Sequence, residues 1–137
     1  MIHPQLEKDC LLLGRFELSY VLLMKDANYP WLILVPAVEG ISEIYQLSES
    51  QQQLLLTESS YVAEKMMAHF QGQKMNIAAL GNIVPQLHLH HVVRYEDDPA
   101  WPAPVWGKLP ANPYTDAQLS ERVDALKNLF TDRLRLV

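Results

Sequence analysis

The stretch Gln86-Leu87-His88-Leu89-His90-His91-Val92-Val93-Arg94 constrains the fold more than any other part of the chain. Successive residues of a strand point to opposite faces. On a strand, Gln86, His88, His90 and Val92 therefore share one face, and Leu87, Leu89, His91 and Val93 share the other. The leucine face belongs on a hydrophobic core. The opposite face lines up two imidazoles and an amide at steps of about 7 Å. Burial alone does not ask for histidine at 88 and 90, because Val or Thr suits a strand better. His91, on the core side, reads as a structural histidine, and His3 and His69 have no supporting context.

The rest of the chain supplies what such a strand must pack against. Phe16–Met24 and Trp31–Val38 are rich in aliphatic and aromatic residues and flank the polar turn Lys25-Asp26-Ala27-Asn28-Tyr29-Pro30, which predicts a hairpin. Ser48-Glu49-Ser50-Gln51 has the form of a capping box and predicts a helix over about 48–71. Its buried stripe is Leu55, Ser59, Val62, Met66 and Phe70, with Gly72 as a left-handed stop. Lys74–Leu80 and Gln86–Tyr95 read as two further strands. Thr115 with Gln118 opens a last helix, over about 115–134, whose buried face is Leu119, Val123, Leu126 and Phe130. The segment 99–113 holds five of the nine prolines and two of the three tryptophans, so it is no helix. It reads as an ordered cover over a sheet face, or, more sharply, as a pocket wall or dimer contact made by Trp101 and Trp106. The expected class is α+β with a mainly antiparallel sheet.

Length and composition narrow the function. With 137 residues the expectation is one domain with one site, large enough to need no disulfide or metal for stability. The lone Cys10 cannot form an internal bridge, which points to a reducing compartment, and no signal peptide or membrane-length apolar run precedes or interrupts the chain. The expected location is the cytoplasm. Eleven basic and sixteen acidic residues give a net charge of −5, which disfavours a protein that grips duplex nucleic acid but leaves room for a single-nucleotide pocket.

Three chemistries fit the histidine face. The imidazoles can be satisfied or exposed side chains without further role. His88 and His90 can chelate zinc, although no third ligand is evident from the sequence. Or they can act at phosphorus: neutral imidazole is a good nucleophile near neutral pH, a second imidazole can donate to the leaving group, and the Gln86 amide can stabilise charge on phosphate oxygens.

Gln86–Arg94, with Gly81-Asn82 and the strand Asn76–Leu80 before it, resembles the signature of the histidine-triad (HIT) superfamily, in which His alternates with hydrophobic residues three times. The segment from Asp97 through Gly107 is similar to a bacterial branch with Gln at the first motif position. The resemblance implies a HIT-like fold spanning 1–137, with a core over about 10–95, the Pro/Trp-rich segment and a C-terminal helix. It implies a nucleotide hydrolase or transferase acting at the α-phosphate of a nucleoside phosphoramidate, dinucleoside polyphosphate or related conjugate. His88 falls on the nucleophile, His90 on the residue that assists the leaving group, Gln86 on the first triad position and Asn82 on the α-phosphate contact. Relatives often carry a His where Trp31 stands, and hold ribose hydroxyls near Asp26 and Asn28. The implied partners are a nucleotide and a second copy of the chain, with no membrane, no metal and no cofactor. The alternatives are a nucleotide-binding or sensor module with weak chemistry, because Gln86 cannot carry a proton, and a His-based metal site.

Overall fold

The two aliphatic runs do pair across the polar turn. In the computed structural model, which describes residues 1–137, β2 (Ser19–Met24) and β3 (Trp31–Pro36) are antiparallel, with Leu22 opposite Ile33. β1 (Cys10–Arg15) adds to the outer side of β2, preceded by a short helix α1 (Pro4–Asp9). After a single 3-10 turn at Ile44–Gln46 comes the long helix α2 (Glu49–Phe70), then β4 (Lys74–Ala78), β5 (Leu89–Arg94) and α3 (Asp116–Leu129). One antiparallel sheet results, in the order β1-β2-β3-β5-β4.

The helix signals act where they were read. The Ser48 hydroxyl accepts from the Gln51 amide, and the Gln51 side chain accepts from the Ser48 amide, so two otherwise orphaned N–H groups are satisfied. Leu55, Ser59, Val62 and Met66 are buried as the stripe requires, while Phe70 is only partly covered. The stop is one residue earlier than the glycine. Gln71 takes the left-handed conformation at φ 51°, and Gly72 serves a different need. A Cβ there would sit 2.5 Å from Val93 Cγ1 and 2.7 Å from Met67 Sδ, so only glycine lets the chain pass between α2 and β5. The strand pair before and within the histidine motif is shorter than its composition suggests, because Leu87 leaves the sheet to donate its amide to the Ile41 carbonyl. Likewise α3 ends at Leu129, and the chain turns back so that Arg135 exchanges both backbone hydrogen bonds with Arg15 at the outer edge of β1.

Both sheet faces are covered. α2 and α3 pack Leu55, Val62, Met66, Leu126 and Phe130 against one, together with Leu32, Leu34, Leu89 and Val93. α1 and the proline-rich segment cover the other, with Leu6, Ala100 and Val105 lying on Leu22, Ile33 and Val92. That segment is therefore the ordered cover expected of it. It is held by Arg94, the last residue of β5, whose guanidinium bonds both Asp98 carboxylate oxygens, Asn76 Oδ1 and the Ala103 carbonyl. The two charged side chains are only 1% and 3% exposed. Burial works to raise the Asp98 carboxyl, but Arg94 and the amides of Tyr95, Ala100 and Trp101 outweigh it and hold the group below the usual carboxylate range.

Asp98→Ala leaves the guanidinium buried without its counter-ion and is expected to cost about 3 kcal/mol, or roughly 10 °C in Tm by calorimetry. Because the folded carboxyl is depressed, its contribution is present above the unfolded value near pH 4 and is lost as pH falls further. Asp98→Asn should accordingly flatten the acid limb of the stability profile measured by denaturant titration.

Candidate active site

β5 lies between β3 and β4, and all six of its residues are buried. Its register sets His90 opposite Ile33 on one side and Ala78 on the other. His91 faces α2, where its Nε2 shares a hydrogen bond of 2.8 Å with Ser59 Oγ, and burial pushes its pKa down to about 4. It is a neutral core histidine. His88, just before the strand, and His90 face the other way, with ring centroids 4.9 Å apart.

The two imidazoles meet different partners. His88 Nδ1 lies 2.7 Å from the main-chain carbonyl of Gln86. A carbonyl only accepts, so Nδ1 carries a proton, and in the neutral ring the lone pair is on Nε2. His90 Nδ1 lies 3.0 Å from Trp31 Nε1, and Trp106 packs edge-on against the same ring at 5.1 Å. Burial first, then the neighbouring His88 and His91, push the His90 pKa down to about 3, which makes it neutral at physiological pH.

These rings open on a cavity of about 420 Å³, within the size range of small-molecule sites. Asn82 lines it from the loop after β4, as do Trp31, Trp106 and, from α1, Gln5 and Asp9. His88, His90 and Asn82 are thus brought together. The Gln86 side chain is not among them. Its Oε1 accepts from the His3 amide at 2.8 Å, and its Nε2 donates to the Met1 carbonyl at 2.7 Å, beside a separate depression shared with Pro36–Ser42. Alternation along a strand put it beside the imidazoles; Leu87 and His88 keep that alternation although β5 does not begin until Leu89, and it is the backbone of Met1 and His3 that draws the Gln86 side chain aside.

Other residues also take up unforeseen places. Asp26 accepts from the amides of Asn28 and Asn112, fastening the hairpin turn to the chain before α3, away from the histidines. Trp101 lies over the Arg94 guanidinium at 5.5 Å, and Trp106 is a cavity wall, as one reading of the segment held. Gln5 and Asp9 carried no motif, and their side-chain hydrogen bond of 2.9 Å follows only from the i, i+4 spacing of a helix not foreseen. No group of three or more His, Cys, Asp or Glu side chains is arranged to hold a metal ion, so His88 and His90 find no third ligand of that kind.

A central strand and the residue just before it turn two buried imidazoles toward a cavity of ligand size, on an antiparallel sheet backed by a long helix, which defines an α+β protein with a histidine-lined pocket. The HIT domain family model matches residues 5–97, and the chain belongs to that family, the histidine-triad proteins. It is similar in structure to a histidine triad protein from Marinobacter aquaeolei VT8, with 55% identity, 97% of each chain covered and a TM-score of 0.94. A histidine triad protein from Bradyrhizobium japonicum is 43% identical over 93% of this chain and 96% of its own, with a TM-score of 0.91. One from Sinorhizobium meliloti 1021 is 37% identical over 98% and 96%, at 0.88. No curated protein matches the chain significantly.

If Gln86 tethers the N-terminal segment, Gln86→Ala should loosen α1. The expected result is about tenfold weaker amide-exchange protection at Glu7, whose amide bonds the His3 carbonyl, with β3 unchanged. Unaltered protection at Glu7 would show that these two bonds do not hold the helix.

Proposed function

We propose that this HIT-family protein is a nucleotide hydrolase or transferase acting at the α-phosphorus of a nucleotide conjugate. The observation that carries the reading is the His88 tautomer: with Nδ1–H held by the Gln86 carbonyl, the free Nε2 lone pair belongs to a ring lining the cavity. Membership of the histidine-triad family supports the same role.

In the proposed sequence the His88 Nε2 lone pair forms a bond to phosphorus while the bond to the leaving group breaks and takes its electron pair with it. His90 donates a hydrogen bond toward the departing group. Asn82 holds a non-bridging oxygen. Water then adds to phosphorus, the nitrogen–phosphorus bond breaks, and the nucleoside monophosphate leaves with release of one proton. Gln86 serves the reaction through its main-chain carbonyl, since its side-chain amide is engaged by Met1 and His3. The substrate class is a nucleoside phosphoramidate, a dinucleoside polyphosphate or a related conjugate. The proposed setting is the cytoplasm. It is supported by Cys10, a lone thiol whose pKa burial pushes up to about 12 and which is therefore inert. No helix is long and apolar enough to cross a membrane.

We also propose a homodimer. Trp101 and Trp106 are turned inward on Arg94 and His90, so the supporting surface is elsewhere: the outer edge of β4 is unpaired, and Ile77, Leu80 and Ile83 are exposed along and beyond it. Sedimentation should give a dimer at tens of micromolar, and Ile77→Glu should shift it to monomer. A parent that sediments as a monomer overturns the proposal.

His88→Ala should lower turnover of a nucleoside phosphoramidate or dinucleoside polyphosphate by roughly a thousandfold or more, with nucleotide Kd nearly unchanged by calorimetry. Intact mass after rapid quench should show a nucleotidyl adduct on the parent and none on the variant. Wild-type turnover in His88→Ala would remove the nucleophile from this position.

A further inference from the structure

The partner of His90 is as informative as that of His88. The Trp31 indole nitrogen can only donate, so the ring nitrogen 3.0 Å from it, His90 Nδ1, must accept. An imidazole that accepts at Nδ1 is neutral and carries its one proton on Nε2. We propose that Trp31 is a positioning residue: its indole N–H fixes His90 as the neutral tautomer that donates from Nε2, which makes the site selective for nucleotide conjugates whose leaving group departs as an anion. This rests on the reading above that His88 attacks phosphorus.

Trp31 is itself held hard. It is 4% exposed at the start of β3, with its ring edge-on to Trp106 at 5.8 Å and to Tyr29 at 6.2 Å, so the donor does not swing away. The two imidazoles are thereby given opposite tautomers by two partners of opposite kind, a carbonyl for His88 and an indole N–H for His90. Protonating His90 would place a second N–H against the indole donor, at a ring only 6% exposed. The titratable and charged groups on that side of the sheet include His88, Asp9 from α1, Cys10 and Tyr29, both kept neutral by burial, and Arg94, which Asp98 neutralises; His91, the next residue, faces α2. Asp9 is the one group among them whose charge favours a protonated ring, and its carboxylate already accepts from Gln5.

The consequence for chemistry is specific. A neutral His90 stabilises negative charge on the leaving atom by a hydrogen bond, but surrendering its only proton would leave an imidazolate, which Trp31 has no proton position to relieve. A phosphate, carboxylate or nitrophenolate leaves with its electron pair and needs no proton in that step. An alkylamine does need one, which must then come from water. The site thus favours anhydride-like and aryl ester conjugates over alkyl phosphoramidates.

The test uses the full chain with 15N-labelled imidazoles, read by long-range proton–nitrogen correlation over about pH 5 to 8. His90 is expected to show a proton on Nε2, none on Nδ1, and no titration in that range. Trp31→Phe should give mixed tautomers, with part of the proton moved to Nδ1. A wild-type His90 protonated on Nδ1, or a Trp31→Phe spectrum identical to wild type, overturns the proposal, and the wild-type spectrum decides the tautomer even if the variant fails to fold. In the kinetic arm, the p-nitrophenyl ester and an alkylamine phosphoramidate of one nucleoside monophosphate are compared at pH 8. The ester is expected to turn over about a hundredfold faster, and equal rates overturn the selectivity. Turnover of neither overturns the functional reading and the selectivity with it, while the spectrum still decides the role of Trp31.

Discussion

The guanidinium of Arg94 is the point on which the cavity side of this molecule depends. It sits at the end of β5, nearly sealed from water, and its donors are shared among Asp98, Asn76 and the Ala103 carbonyl. A charge in that position is tolerated only because each of these acceptors is in place. Satisfying it forces the chain after β5 to fold back over the sheet, which seats Ala100 and Val105 in the second core and carries Trp106 against His90. The proline-rich segment has few backbone hydrogen bonds of its own, so its first part is ordered by this ion pair and the amides that Asp98 gathers around itself, and its end by Asp26, which accepts from the Asn112 amide.

β5 therefore does two jobs that usually conflict. It is a central strand with both faces buried, which favours apolar side chains, and it carries His90, His91 and Arg94. Each polar group is matched to a partner on a neighbouring element: an indole on β3, a hydroxyl on α2, a carboxylate in the loop beyond. Such matched groups make the strand rigid, because a shift in register would orphan all three. A rigid strand is what the proposed reaction at phosphorus needs, since its nucleophile and donor must be placed before substrate arrives.

What could be read from the sequence divides along the same line. Features set by near neighbours were legible: the Ser48 and Thr115 caps, the stripe of α2, the hairpin, and the opposite faces of His90 and His91. Features set by distant contacts were not. Gln86 is turned by backbone groups more than eighty residues away. β1 escaped notice because its short leucine run carries a bulge at Leu13 and stops at Gly14, and α1 because six residues capped by a histidine carry no strong signal. Arg94 and Asp98 are four residues apart, yet nothing in their spacing tells that both are buried.

The hold that Gln86 has on the start of the chain is made to main-chain atoms alone, the carbonyl of residue 1 and the amide of residue 3. Selection acting through those bonds would be blind to the side chains at these positions and sensitive to their spacing. Residue 1 is then free to drift in identity, whereas His3 also caps α1 through its Nδ1, which accepts from the Gln5 amide, and a one-residue insertion or deletion would slide α1 along the cavity rim and carry Gln5 and Asp9 out of place. Among relatives, the constraint would be written in the spacing of the residues before α1 and in a capping side chain at position 3.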